Sequence, residues 1–346
     1  MSISRRELLI SMPALIAATR AAAQPARAAI RVTGLNHVTL SVSDVKRSVD
    51  FYQGLFGMPI SSRQGATTNL RIGAGPQFLG VSSAGTAAPN INHLCLGVED
   101  FRVDRITAAL EARGFTKTDE AGNAGGGGLG GGPMKMRIRD RQGTPEFYFS
   151  DADGLVIQLQ DSRYCGGSGP MGIVCAAPEP SPKRGLLALH GWSHLTIFVS
   201  DGARANQFYQ DLFGLNVQAY QGPGAPLYGV GGGEFLMFAG GGPGRGRANA
   251  APRPASINHL CMNMDNFDPD RVIKALESYG LKPRGQAAPG PVAPLVHYIS
   301  LRMENRGGAK DGTPELYFTD PDGLLVQLQD TKYCGGGGVL GELCSA

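Results

Sequence analysis

Four histidines open short apolar segments at matching places along the 346-residue chain, two in each half. They are His37, His93, His194 and His259. A single histidine at the start of a strand is more often structural than functional, but four at repeated positions favour a shared chemical task. Two neutral imidazoles with one further ligand form the facial arrangement that holds many divalent metals. The pattern therefore predicts metal binding in at least one half of the chain.

Oxygen donors follow these histidines near the end of each half. The matching sets are Glu146, Tyr148 and Gln158 in the first half, and Glu315, Tyr317 and Gln327 in the second. Side chains alternate across a strand, so Glu146 shares a face with Tyr148, and Glu315 shares a face with Tyr317. We therefore expect each half to offer two histidines, a glutamine, a glutamate and a tyrosine to one cleft.

An internal repeat explains why the two sets match. Residues 143–167 and 312–336 differ at seven of 25 positions, which leaves 18 identical. The openings of the two halves, 35–60 and 192–217, are also similar. These similarities indicate that the chain is a duplication.

A fainter repeat divides each half into two units, and each unit passes from a histidine-bearing strand into a helix. Asp44 is placed to cap the first helix, which Gly57 ends, and Asp201 is placed to cap its counterpart. Further strands follow each helix, and the last two are joined by tight Asp-x-Asp-Gly turns at 151–154 and 320–323. The sequence therefore predicts an α+β fold of four tandem βαβββ modules.

These features together resemble the vicinal oxygen chelate superfamily, which includes glyoxalase I, bleomycin and fosfomycin resistance proteins and extradiol ring-cleaving dioxygenases. The resemblance is carried by the Asn-His strand openings, the FYQGLFG-type helices and the DPDG-LLVQL ending, and it covers nearly everything after residue 30. It implies that paired modules curl into two half-barrel lobes around a metal. The four-module length is most similar to the two-domain extradiol dioxygenases.

The resemblance also implies which residues hold the metal, because ligands in the superfamily lie on the first and last strands of paired modules. They would be His194, His259 and Gln327 in the second half, and His37, His93 and Gln158 in the first. Glutamine stands where the family usually has glutamate, and a neutral amide oxygen compensates less of the metal charge. Glu146, Glu315 or a water molecule are the alternatives for the third ligand. We expect one or two divalent ions, iron or manganese first, with zinc, nickel or copper as alternatives.

Three further residues are candidate catalytic groups. Tyr317 aligns with a tyrosine near the metal of extradiol enzymes, where it would orient the substrate or donate a proton, and Tyr148 is its counterpart. The alternative for both is an aromatic packing role. His297 has no counterpart in the first half, so it would be an acid or base near one site only, or a histidine on a strand surface.

The six cysteines form three symmetric pairs. Cys165 and Cys175 are ten residues apart, and so are Cys334 and Cys344. In an exported protein this spacing predicts two local disulfides. The third pair, Cys95 and Cys261, follows two of the histidines by two residues, which predicts buried apolar thiols or, alternatively, thiols at a metal.

The N-terminal residues 1–28 resemble a twin-arginine export signal, with Arg5 and Arg6 before a modest apolar stretch and small residues at the cleavage sites. We expect the protein to be exported folded by the twin-arginine machinery into a periplasm or the cell exterior. The net charge is +3, no basic block predicts nucleic-acid binding, and no apolar run reaches the roughly 18 residues of a membrane span. The expected partner is a small-molecule substrate, and homodimer formation stays open.

The predicted domains are lobes at 30–175 and 191–346, joined by a linker at 176–190. The leading functional prediction is a metal-dependent enzyme that resembles extradiol dioxygenases and acts on a small aromatic or vicinal-oxygen substrate. A glyoxalase-like isomerase or lyase is the first alternative. The second is a periplasmic protein that binds a metal or small molecule without catalysis.

Overall fold

A computed structural model describes most of the chain that follows the predicted export signal. The described residues are 28–119, 129–130, 132–240, 255–285 and 293–344. The predicted signal at 1–28 therefore lies outside the described residues, except for Ala28. Among the described helices, none is both long and apolar enough to span a bilayer.

The described residues contain two nine-stranded sheets, and we call each sheet together with its two helices a lobe, the first and the second. The first lobe consists of β1 (Val32–Val42), α1 (Val45–Phe56), β2 (Ile60–Gln64), β3 (Thr67–Arg71), β4 (Phe78–Ser83), β5 (Asn90–Val98), α2 (Val103–Glu111), β6 (Thr116–Lys117), β7 (Lys135–Arg141), β8 (Thr144–Ser150) and β9 (Val156–Asp161). The second lobe consists of β10 (Gly191–Val199), α3 (Gly202–Phe213), β11 (Asn216–Tyr220), β12 (Pro226–Gly231), β13 (Glu234–Gly240), β14 (Ser256–Met264), α4 (Pro269–Ser278), β15 (Lys282–Pro283), β16 (Val296–Arg302), β17 (Thr313–Thr319) and β18 (Leu325–Asp330). The predicted α+β class and the two-lobe arrangement are confirmed.

The strand order is the same in both lobes and brings the histidine-bearing strands together at the centre of each sheet. The orders are β2-β3-β4-β1-β5-β9-β8-β7-β6 and β11-β12-β13-β10-β14-β18-β17-β16-β15. On β1 and β5, His37 pairs with Cys95 and Thr39 pairs with His93. Cys95 pairs in turn with Gln158 on β9. The register therefore places the two histidines and the glutamine on three adjacent strands.

The helices begin and end where their capping residues predict. The Asp44 side chain accepts a hydrogen bond from the Arg47 amide at the start of α1, and Gly57 ends the helix in a left-handed conformation with φ of 66°. Asp201 begins α3 in the same way. Helix α2 ends at Glu111, where the last turn tightens and the Gly114 amide bonds to the Glu111 carbonyl.

The two lobes share one hydrophobic core, because the first helix of each lobe packs on the sheet of the other. Phe51 and Phe56 of α1 lie against Phe318 of β17, with ring centroids 6.3 and 6.0 Å apart. In the reciprocal contact, Phe213 of α3 lies 6.3 Å from Phe149 of β8. Phe149 and Phe318 are next to Tyr148 and Tyr317 on their strands and therefore point to the opposite side. Each sheet thus has an apolar face toward the helix of the other lobe and a polar face that carries the tyrosines.

The Asp-x-Asp-Gly turns carry polar contacts across the same interface. The Asp151 Oδ1 atom accepts hydrogen bonds from the amides of Asp153 and Leu155, which closes the predicted turn, and Oδ2 accepts one from Tyr209 of α3 at 2.9 Å. In the second lobe Asp320 accepts from Tyr52 of α1 at 3.2 Å. Burial raises the pKa of both carboxyls from the ordinary 3.8 to about 6.

This burial predicts a pH dependence of stability. The folded pKa lies above the unfolded one, so each carboxyl stabilises the fold most below pH ~4, and the contribution is lost as the pH rises through about 6. The double substitution Asp151→Asn with Asp320→Asn should therefore gain stability relative to the parent between pH ~4 and ~7, by roughly 1–3 kcal/mol per carboxyl. Urea unfolding of the parent and the variant at pH ~4 and at pH ~7 measures the difference in their free energies of unfolding. The exposed Asp311→Asn is the control. An identical pH dependence in parent and variant would refute the prediction.

Candidate functional site

A cavity of about 230 Å³ opens on the polar face of the first lobe. All five residues predicted for the first half line it, namely His37, His93, Glu146, Tyr148 and Gln158. Each of these side chains alternates along its strand with a residue of the hydrophobic core, such as Val38 or Phe147. The fold thus separates the polar cluster from the core and turns it toward one cavity.

Two imidazole rings converge on a single amide oxygen in this cavity. His37 Nε2 lies 3.0 Å from Gln158 Oε1, and His93 Nε2 lies 3.2 Å from the same oxygen. The two rings meet edge to face with centroids 5.7 Å apart. Three polar atoms from three adjacent strands therefore surround one small space.

The opposite ring nitrogens are oriented by asparagines. His37 Nδ1 lies 2.8 Å from Asn36 Oδ1, and His93 Nδ1 lies 2.8 Å from Asn92 Oδ1. Each ring faces an amide oxygen at both nitrogens, but a neutral imidazole carries only one proton. The shorter contact is the one at Nδ1, which favours the proton on Nδ1 and leaves a lone pair on each Nε2. Burial lowers the pKa of His93 to about 4 and that of His37 well below 6.5, which keeps both rings neutral near pH 7.

The cluster consequently lacks a hydrogen-bond donor at its centre. Two Nε2 lone pairs and the lone pairs of Gln158 Oε1 face one another in a buried position, and three acceptors without a proton leave one another unsatisfied. A cation placed among them would satisfy all three. The donor set, two imidazoles and an oxygen, suits a divalent transition metal.

The second lobe holds the equivalent residues, with one imidazole rather than two within hydrogen-bond distance of the glutamine oxygen. His194 Nε2 lies 3.1 Å from Gln327 Oε1, and His259 Nδ1 lies 2.8 Å from Asn258 Oδ1. His259 Nε2 is buried without a hydrogen-bond partner in the described part of the chain. Ser193 replaces the asparagine beside His194, with its hydroxyl 3.1 Å from Nδ1. Burial lowers the pKa of His259 to about 4 as well.

Both glutamates lie behind the histidines, where other groups already hold their carboxylates. Glu146 accepts hydrogen bonds from Arg141 at 2.6 Å, Tyr164 at 3.0 Å and Tyr148 at 3.2 Å. Glu315 has the same partners in the second lobe, namely Arg302, Tyr333 and Tyr317 at 2.8, 3.2 and 3.3 Å. It is therefore the glutamine oxygen, not the carboxylate, that lies against the imidazoles.

The tyrosines stand between the carboxylates and the histidines. The ring of Tyr148 meets His93 edge-on at 5.7 Å, and that of Tyr317 meets His259 at 5.4 Å. Burial, followed by the neighbouring carboxylate, raises the pKa of Tyr148 and of Tyr317 well above 10. Both hydroxyls therefore stay protonated at neutral pH and are able to donate a hydrogen bond or a proton.

His297 lies outside the cluster. It occupies β16 next to Tyr298, and its Nε2 atom is 3.4 Å from Glu277 of α4, on the opposite side of the strand from Arg302. It is only 5% exposed, so the expectation of a strand-surface histidine is wrong, because α4 covers this face of β16. The structure does not bring His297 to Tyr317 or to the other candidates.

The cysteines behave as their spacing predicts. Cys165–Cys175 and Cys334–Cys344 form two disulfides, and Cys95 and Cys261 are free and fully buried. Each disulfide closes a glycine-rich loop whose carbonyl groups hold a site arginine. Arg141 donates to the Gly167 carbonyl and Arg302 donates to the Gly336 carbonyl. The loops thus support the glutamates from behind.

Family comparisons agree with this fold. The family model described as the Glyoxalase/Bleomycin resistance protein/Dioxygenase superfamily matches residues 34–159. A second model, Bleomycin resistance protein-like N-terminal, matches 193–224 at the start of the second lobe. The chain is therefore similar in sequence to this superfamily over most of the first lobe and at the start of the second. A comparison with curated protein sequences finds no match.

Solved structures of the superfamily share the fold across both lobes. The Mn(II)-bound glyoxalase from Novosphingobium aromaticivorans has a TM-score of 0.58 and 17% identity, covering 86% of this chain and 82% of its own. A catechol 2,3-dioxygenase has a TM-score of 0.56 and 15% identity, covering 89% of this chain and 88% of its own. Homoprotocatechuate 2,3-dioxygenase from Brevibacterium fuscum, in complex with 3,4-dihydroxyphenylacetate, has a TM-score of 0.57 and 16% identity, covering 88% of this chain and 83% of its own.

Several site residues escape sequence reasoning within this superfamily fold. No group of three His, Cys, Asp or Glu side chains close enough for a metal occurs in the described ranges, because each cluster uses an amide oxygen. The asparagines that orient the rings precede the histidines directly, so the Asn-His pairs were a usable signal. The partners of Glu146 were harder to find, because Arg141 lies on another strand and Tyr164 lies beyond β9.

Proposed function

We propose that this chain is a metal-dependent enzyme of the vicinal oxygen chelate superfamily, with a His/His/Gln metal site in each lobe. The observation that carries the proposal is the convergence of His37 Nε2, His93 Nε2 and Gln158 Oε1, three acceptors in a buried position with no donor among them. The second lobe supports it, because His259 Nε2 is buried without a partner among the described residues. The substrate is a small molecule with two vicinal oxygens.

The neutral ligand set influences which substrates fit. Two imidazoles and an amide leave the charge of a divalent cation uncompensated, whereas a carboxylate ligand would cancel part of it. Substrate oxygens that ionise on binding, such as those of a catechol or an enediol, would restore the balance. A bound metal would supply Lewis-acid polarisation of these oxygens and, if redox-active, the activation of O₂.

The remaining residues of the cluster handle protons and orientation. Tyr148 and Tyr317 keep their protons at neutral pH and stand at the edge of the second histidine of each pair, where they donate a hydrogen bond to a substrate oxygen. Glu146 accepts from Tyr148 in the resting site and fixes its hydroxyl. Glu315 does the same for Tyr317.

We favour extradiol-type dioxygenase chemistry, supported by the two-lobe fold shared with catechol 2,3-dioxygenase and homoprotocatechuate 2,3-dioxygenase. The second candidate is a glyoxalase-like isomerase or lyase. It is supported by the fold shared with a Mn(II)-bound glyoxalase and by the amide oxygen in the ligand set.

Metal analysis of protein purified without added metal, followed by catechol turnover with an oxygen electrode, tests the proposal. Iron or manganese with oxygen consumption would support the dioxygenase. Metal without oxygen consumption, together with turnover of an α-hydroxy thioether or hemithioacetal, would support the isomerase. Protein that holds no metal and takes none up on reconstitution would refute both.

We further propose that the protein is exported by the twin-arginine route to the periplasm or cell exterior. The support is Arg5-Arg6 in the N-terminal segment and the two disulfides, which persist in oxidising compartments. Cell fractionation of the Arg5→Lys, Arg6→Lys variant tests this, since retention of the variant inside the cell is expected.

A further inference from the structure

The two cavities differ most along the strand that pairs with the glutamate-bearing strand. In the first lobe β7 pairs with β8, so that Arg137 lies opposite Tyr148 and Arg139 lies opposite Glu146. In the second lobe the same register positions on β16 hold Tyr298, opposite Tyr317, and Ser300, opposite Glu315. The duplicated lobes therefore share their metal-binding candidates but not this wall.

Arg137 and Arg139 both line the first-lobe cavity. Arg137 has no ion pair with another described residue, and Arg139 has only a long one, 4.0 Å to Glu146, with 58% of its side chain exposed. The carboxylate of Glu146 is already held by Arg141 at 2.6 Å. The cavity thus contains three guanidinium groups and one carboxylate.

The second lobe has an aromatic wall at these positions. The Tyr298 ring stacks on Tyr317 with centroids 5.1 Å apart, and the guanidinium carbon of Arg284 lies over the Tyr298 ring, 4.9 Å from its centroid. Phe198 of β10 occupies the register position that Ser41 has on β1, and Met237 of β13 occupies the position of Gly80 on β4. At these four positions the second lobe presents two rings, one thioether and one hydroxyl, where the first lobe presents two cations, one hydroxyl and a glycine.

We propose that the first lobe binds an anionic small molecule, and that Arg137 and Arg139 are the residues that select it. The ligand has two vicinal oxygens at one end and a carboxylate or phosphoryl group at the other. Arg137, Tyr148 and Gln158 lie in one row across β7, β8 and β9. The ends of this row are two strand spacings of about 4.8 Å apart. This distance suits a single substituted ring whose anionic group lies at the Arg137 guanidinium and whose two vicinal oxygens lie at the metal site beside Gln158. The second lobe takes an uncharged, more apolar ligand. This inference rests on the proposed metal sites.

Paired probes of equal shape test the inference on the metal-loaded mature chain under anaerobic conditions. The probes are 3,4-dihydroxybenzoate, its uncharged isostere 3,4-dihydroxybenzamide, and 3,4-dihydroxyphenylphosphonate, each titrated by calorimetry. We expect one site per chain to prefer an anionic probe over the amide by about tenfold to a hundredfold, because guanidinium–anion hydrogen bonds are strong and charge-assisted. A preference for the benzoate would identify a carboxylate ligand, and a preference for the phosphonate would identify a phosphoryl ligand.

The double substitution Arg137→Met with Arg139→Met should abolish this preference while benzamide binding and metal content stay unchanged. Methionine keeps the aliphatic stem at two strand positions that are not fully buried, so the fold should tolerate it. Arg284→Met removes a cation from the second lobe and should leave the preference intact. A parent protein with full metal content but no preference would overturn the inference alone, as would a preference that survives the double substitution. A chain that binds neither metal nor any probe would overturn the proposed function as well.

Discussion

Replacing His37 by alanine should lower the metal content of the purified chain from about two ions to about one, because three ligands are the minimum that a protein usually offers to a catalytic metal. His194→Ala should have the same effect through the second lobe, and the double variant should purify without metal. His297→Ala is the matched control, since His297 is also a buried strand histidine but lies against Glu277 rather than in a cluster. Metal analysis on natively purified protein gives the answer directly, and circular dichroism confirms that each variant is folded.

The glutamine allows a sharper test of the same sites. Gln158→Ala should weaken first-lobe metal binding by roughly 10–100-fold, whereas Gln158→Glu should strengthen it by supplying a carboxylate to the cation. If the cluster were only a set of hydrogen bonds, both changes would leave the metal content unaltered. Unchanged metal in Gln158→Ala, His37→Ala and His194→Ala alike would remove these residues from any metal site.

The sequence is sufficient to predict the face that carries the chemistry. Alternation along a strand pairs Glu146 with Tyr148, and the internal repeat marks the same positions in the second half, so the residues that share the polar face are predictable from the sequence. Helix limits are predictable for a similar reason, because the Asp44 cap and the Gly57 end are local features.

Contacts that depend on strand register are not predictable in this way. Arg141 and Arg302 are equivalent in the two sheets, but the segment after Arg302 is longer than the tight turn after Arg141, and this hides the equivalence in the sequence. The same uncertainty of register allowed His297 to be considered for the site. The reciprocal packing of α1 and α3 on the opposite lobes leaves no local signal, because phenylalanine on a helix face indicates burial but not its partner.

The largest stability effect is expected at Arg302. Its side chain is fully buried, and it donates to Glu315 at 2.8 Å, to the Gly307 carbonyl at 2.7 Å and to the Gly336 carbonyl at 3.0 Å. Arg302→Met removes the cation and leaves a buried carboxylate with only tyrosine hydroxyls as donors. Breaking one partner of a buried ion pair costs about 3–5 kcal/mol, so the free energy of unfolding in urea should fall by that amount.

Two comparisons separate this charge effect from the loss of packing. Arg139→Met, at an exposed position on β7, should change the free energy of unfolding by no more than about 0.5 kcal/mol. Arg302→Met combined with Glu315→Gln removes both charges and should recover a large part of the loss, because the uncompensated carboxylate is the main cost. If the double variant were as unstable as Arg302→Met alone, lost packing around the guanidinium would account for most of the destabilisation. In that case the arginine would serve the glycine-rich loop, through Gly307 and Gly336, more than the carboxylate behind Tyr317.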